Sequence, residues 1–179
     1  MAGGSLVELL PGVRMNAAAR WVEFDGFVPI DVNDPDAPDV YLELLVCSPD
    51  TREHEALVVT SVTPSHLHAG LLAIGLEPGR PGSFRIDGRE VVAVDPIGPT
   101  VEVLVKIEGG SAFVPLLAWT KHRDRGTSLL DDGAAMLFAG SRMVTRQGRE
   151  WYDADGAGTI IGLTTFGGEV VSLSTTLSP

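Results

Sequence analysis

Residues 40–75 read VYLELLVCSPDTREHEALVVTSVTPSHLHAGLLAIG, two apolar β-type runs followed by a helical stripe, and this stretch decides the fold. Val40 to Cys47 alternates imperfectly, because Tyr41 and Leu45 share the face of Glu43; this predicts a strand covered on most of both sides. After the polar SPDTRE, the run from His54 to Val62 is again β-rich, so the pair is expected as a hairpin with a longer, polar loop. Then the period changes. Thr63 is placed to cap and Pro64 takes the first helical position, where its missing N–H costs nothing. Leu67, Leu71 and Ile74, with Leu72 beside them, recur at i, i+4 and i+7. Gly75 supplies the stop and Pro78 bars continuation, which predicts one amphipathic helix over about 64–75. Gly70 weakens that helix by about 1 kcal/mol relative to Ala, a cost consistent with close packing against a strand.

Outward from this stretch, turn signals recur. Asp25-Gly26 separates RWVEF from FVPI, Asp87-Gly88 separates FRI from REVVAV, Gly109-Gly110 separates VEVLVKIE from AFVPLLAW, and Gly167-Gly168 separates TIIGLTTF from EVVSLST. Glycine after Asp or Gly accepts the positive φ of two-residue hairpin turns, so a hairpin is expected at each. In VEVLVKIE, Val101, Val103, Val105 and Ile107 point one way while Glu102, Lys106 and Glu108 point the other, with Leu104 the exception. Asn33 to Asp39 and Asp95 to Thr100 read as irregular loops too short to link separate domains. The expected architecture is α+β: mainly antiparallel β hairpins and sheets with one packed amphipathic helix. It forms a single domain over 1–179, with 1–10 a loosely ordered start.

Composition excludes several functions. The 179 residues hold 13 Lys and Arg against 24 Asp and Glu, a net charge of −11, so no nucleic-acid partner is expected. No apolar run approaches the ~20 residues of a membrane helix. MAGGSLVELLPGVRM lacks the basic start and apolar length of a secretion signal, which as the chain stands predicts a cytoplasmic location, or the cell envelope if a leader has been removed. Cys47 is the lone cysteine, so neither an intrachain disulfide nor an iron–sulfur cluster within one chain is expected.

Three stretches resemble the YdjY-type domain family, conserved bacterial proteins abundant in planctomycetes: LELLVCSPDTREHEALVVTSVTPSHLHAGLLAIGLEPGRPG; VEVLVKIEGGSAFVPLLAWT; and FAGSRM followed by WYDADGAGTIIGLTTF. They cover most of the chain from about residue 11. The resemblance implies no established reaction. Some relatives are described as ferredoxin-like, which one cysteine cannot support, and members often carry an export leader.

Chemistry-bearing residues concentrate in the first of these stretches. Cys47, Glu53, His54, Glu55, His66 and His68 include the single thiol and three of the four histidines. If Cys47 ends one strand of a hairpin and His54 begins the next, both lie at its mouth. Thiolate, imidazole and carboxylate together suit zinc, copper or iron, and the candidate ligands are His54, Glu55, His68 and Cys47. Spacing opposes a single centre: His66 and His68 sit at i, i+2 on different helix faces, and a strand spanning His54 to His66 would separate them by roughly 35 Å. DADGAGTI, Asp153 to Ile160, imitates a calcium loop but has Ala157 at the fifth position and Thr164 at the twelfth, so a tight β turn is expected. KHRDRG, Lys121 to Gly126, reads as a solvated loop, and Trp119 and Trp151 as packing against sheets. A non-catalytic binding or structural module therefore ranks first, a metal-binding or redox-linked protein second, and an enzyme third.

Overall fold

The computed structural model describes residues 4–29, 36 and 40–176. The described chain enters through an antiparallel meander of β1 (Val7–Leu10), β2 (Val13–Asn16) and β3 (Trp21–Glu23). Arg14 ties it together, pairing with Glu23 at 2.9 Å and holding both oxygens of Asp25 at 2.8 and 2.9 Å. The expected hairpin at Asp25-Gly26 does not form. The chain instead crosses to Val59, with which Phe27 exchanges backbone hydrogen bonds of 2.9 and 2.8 Å. A Cβ on Gly26 would stand 2.6 Å from the Val58 side chain and 2.9 Å from the Val59 carbonyl, so this glycine serves a close crossing rather than a turn. The Asn33–Asp39 loop, Asp36 excepted, lies outside the described residues.

β4 (Leu44–Cys47) is buried at every position, as its pattern predicts. Its pairing with β5 (Ala56–Val59) corrects the sequence reading: the strands are parallel, Leu44 opposite Ala56 and Cys47 opposite Val59. The connection, which includes a 3-10 turn at Glu53–Glu55, carries the chain back before β5 begins. Residue types alone do not distinguish the two directions, since a strand buried on both faces reads as a continuous apolar run in either.

Helix α1 (Pro64–Ala73) buries Leu67 and Leu71 along the predicted stripe, with Ile74 buried at its C-cap, whereas Leu72 is 45% exposed. Thr63 caps with its carbonyl and not its hydroxyl; the Ser65 N–H donates instead to Asp155 Oδ1 at 2.7 Å. A Cβ on Gly70 would lie 3.1 Å from both Val13 and Val22, so α1 rests directly on β2 and β3, as the helix glycine implied.

The β6 (Ser83–Asp87) and β7 (Glu90–Val94) hairpin forms as expected, Asp87 opposite Glu90 and Gly88 at φ 64°. The VEVLVKIE run divides: β8 (Thr100–Val101) joins the main sheet, while β9 (Leu104–Val105) pairs antiparallel with β10 (Val114–Pro115) around the Gly109-Gly110 turn. Val101, Val103 and Val105 are half-buried, but Ile107 faces solvent.

Beyond the solvated Lys121–Gly126 loop come β11 (Met136–Phe138), β12 (Met143–Arg146), β13 (Arg149–Tyr152), α2 (Asp153–Ala157), β14 (Thr159–Gly162) and β15 (Val171–Leu173). The main sheet is six-stranded, ordered β5-β4-β14-β15-β11-β8. Two expectations fail here. β14 and β15 are parallel, Ile161 opposite Val171, so Gly167-Gly168 lies in a crossover and not a hairpin. DADGAGTI forms the short helix α2, closed by Gly158 at φ 69°, instead of a β turn. Phe138, Leu45, Ile160, Val170 and Val13 are fully buried, and together with Leu67 and Leu71 they join sheet, meander and α1 in one core. The architecture is α+β, mostly strand, with antiparallel sheets and one main helix.

Candidate binding groove

His68 and Leu72 lie one turn apart on α1, on the same face. Opposite them the chain leaves β11 through two consecutive left-handed residues, Gly140 at φ 88° and Ser141 at φ 56°. A Cβ at Gly140 would run into Pro78 and stand 3.2 Å from His68 Cε1, so glycine is required there on two grounds. Ser141, a non-glycine residue in this region, is held by its side chain: Oγ donates to the Gly168 carbonyl at 2.5 Å and accepts from the Ala154 N–H at 3.2 Å. Asp153 completes the fastening. Its N–H donates to the Arg142 carbonyl at 2.9 Å, while its nearly buried carboxylate receives Arg142 Nε at 2.9 Å and Arg146 at 3.3 Å.

This corner fixes Tyr152. Its hydroxyl donates to the Gly140 carbonyl at 2.9 Å and lies 2.7 Å from His68 Nδ1. A phenol has one hydrogen, and the carbonyl accepts only, so Nδ1 carries the proton that bridges to the Tyr152 oxygen. Nε2 of the neutral ring is then its acceptor nitrogen. The imidazole stands edge-on to Phe138 at 5.0 Å and to Tyr152 at 5.4 Å. Burial lowers the basicity of His68 below its ordinary value of 6.5 and pushes the Tyr152 hydroxyl up, so both groups stay uncharged near neutrality. Above them opens a groove of about 370 Å³ lined by Ser65, His68, Leu72, Gly140, Met143 and Tyr152. Its walls are mainly apolar, this hydrogen-bonded chain lies in its floor, and Ser141 and Arg142 also line it.

Of the expected metal ligands, only His68 reaches the groove. Cys47 is fully buried, its thiol pushed up by burial, among Leu44, Ala56 and Val59. The expected meeting of Cys47 with His54 depended on a hairpin. In the parallel pair, His54 precedes Ala56 and so lies toward Leu44, at the end of β4 opposite to Cys47. His54 is exposed, with Nε2 3.4 Å from Glu55. Glu55 lies against Glu43, whose carboxyl is raised first by burial and then by this neighbour. Among the described residues, no three His, Cys, Asp or Glu side chains come together to hold a metal ion. The sequence reading missed Tyr152, Gly140 and Ser141, although they lie in the FAGSRM and WYDADG stretches. It also missed Glu169, fully buried in the β14–β15 crossover. Glu169 Oε1 accepts from the N–H groups of Phe166 and Gly167, while Oε2 has no hydrogen-bond partner among the described residues, and burial pushes the carboxyl up.

Fold and groove together define an α+β protein, mostly β, whose main helix forms one wall of a surface groove. The YdjY domain model matches residues 13–177, nearly the whole chain, and the chain belongs to the YdjY domain family. No curated protein and no solved structure matches it. Among the described residues, no helix is long and apolar enough to cross a membrane.

Proposed function

We propose that this protein is a non-catalytic binding domain that takes a small apolar group bearing a hydrogen-bond donor in the groove between α1 and residues 140–143. The observation that carries this reading is the His68–Tyr152–Gly140 chain, which gives His68 Nε2 the acceptor role in a mainly apolar groove that Arg142 also lines. Leu72 and Met143, 45% and 57% exposed, supply apolar surface at the rim that a ligand would cover. Support for a binding and not a catalytic role comes from the same groups. Burial makes His68 a weaker base, and Nδ1 is already committed to Tyr152 and not to a carboxylate that would strengthen the ring.

Benzyl alcohol, which joins an apolar ring to a hydroxyl donor, is a suitable probe. Titrated into isotope-labelled protein, it is expected to produce saturable NMR shifts at His68 Nε2 and the Met143 methyl, both lost in Leu72→Glu. Shifts that grow linearly without saturating, or that persist in Leu72→Glu, would contradict the reading.

A further inference from the structure

The β12–β13 hairpin has a second face that the groove does not use. Residues directly opposite in an antiparallel pair share a face, so Met143 and Tyr152 point toward the groove while Val144, Trp151, Arg146 and Arg149 lie on the other side. There Arg146 stands directly opposite Arg149, across a turn whose Gln147 and Gly148 have φ 53° and 74°. Like charges opposed in this way cost stability unless something neutralises them. Asp153 reaches Arg146 at 3.3 Å but holds Arg142 at 2.9 Å as well, so it offsets Arg146 only in part, and among the described residues no carboxylate pairs with Arg149. One residue further along this face is Trp151, expected from sequence to pack against a sheet but in fact 52% exposed. Arg146, Gln147, Arg149, Trp151 and Gly156 line an open depression of about 610 Å³. A guanidinium without a partner is thus held beside an exposed aromatic face, on a chain whose net charge is −11.

We infer that this face is a binding site for a carboxylated sugar, the carboxylate lying against Arg149 and the ring stacked on Trp151. Charge selects an anion: Asp153 is shared between Arg142 and Arg146, Arg149 adds a further positive charge, and the planar guanidinium fork matches the two oxygens of a carboxylate. Shape agrees, since the indole offers an apolar platform to the C–H face of a pyranose ring, and a shallow open depression admits one unit of a longer chain.

The test is titration of the full chain with trigalacturonate, followed by tryptophan fluorescence. Saturable quenching is expected, with Trp151→Phe removing most of the signal change and thereby separating it from Trp21 and Trp119. Arg149→Ala should weaken binding at least tenfold, and Arg149→Gln, which retains a long polar stem, should do the same if the alanine variant folds poorly. Neutral maltotriose should not saturate. Absence of saturable quenching, equal binding of maltotriose, displacement by equimolar inorganic phosphate, or unchanged affinity in both Arg149 variants would each overturn the assignment.

Discussion

His68 Nδ1 and the Tyr152 hydroxyl lie 2.7 Å apart across 84 residues of sequence, joining the main helix to the junction of β13 and α2. Because the same hydroxyl donates to Gly140, one oxygen links three separate segments. Tyr152→Phe keeps the ring and removes that oxygen, depriving both the Gly140 carbonyl and the His68 N–H of it. A loss of about 1–3 kcal/mol is expected in urea unfolding. An unchanged midpoint and slope would mean that the bridge contributes nothing.

Gly140 and Gly88 both have positive φ, at 88° and 64°, yet their surroundings differ. A Cβ at Gly88 meets nothing within 4 Å, whereas one at Gly140 strikes Pro78 and crowds His68. Gly88→Ala should therefore cost only the backbone penalty, about 1–2 kcal/mol. Gly140→Ala should cost at least about 2 kcal/mol more and disturb the His68 resonances. Equal thermal shifts for the two variants would show that the close approach at Gly140 is relaxed without cost.

Glu169 ties stability to pH in a defined direction. Burial raises its carboxyl above the ordinary value of 4.5, so its protonated form is favoured in the folded state. Its contribution is complete below 4.5 and declines as pH rises through the folded value. Glu169→Gln mimics the protonated acid and removes that decline. The variant should match the parent near pH 4 and exceed it near pH 8, by about 1.4 kcal/mol for each tenfold weakening of the acid. Parallel stability–pH curves for the two proteins would contradict this account of the buried carboxyl.

Some local signals in the sequence place their elements, whereas pairings between distant segments are not legible in it. The α1 boundaries follow from Pro64, the Leu67–Leu71–Ile74 spacing and Gly75, and the β6–β7 turn from Asp87-Gly88, because each rests on residues adjacent in the chain. The parallel pairs β4–β5 and β14–β15 were misread as hairpins because strand direction depends on where a connection returns. Gly26 and Gly168 misled for another reason. A Cβ on Gly168 would stand 2.8 Å from Asp153 Oδ2, so these glycines permit close crossings that look like turns in sequence. His68 was singled out from its stretch, but its partners Tyr152 and Gly140 become its neighbours only through the fold.

The protonation state of His68 tests the groove most directly. Nitrogen-15 NMR of the imidazole should show a neutral ring at pH 7 with its proton on Nδ1, and a titration midpoint below 6.5. Since the folded value is depressed, the stability contributed by this residue should be present above 6.5 and lost as pH falls through the midpoint. A proton on Nε2, or a midpoint above 6.5, would contradict the hydrogen-bonded chain on which the binding groove is built.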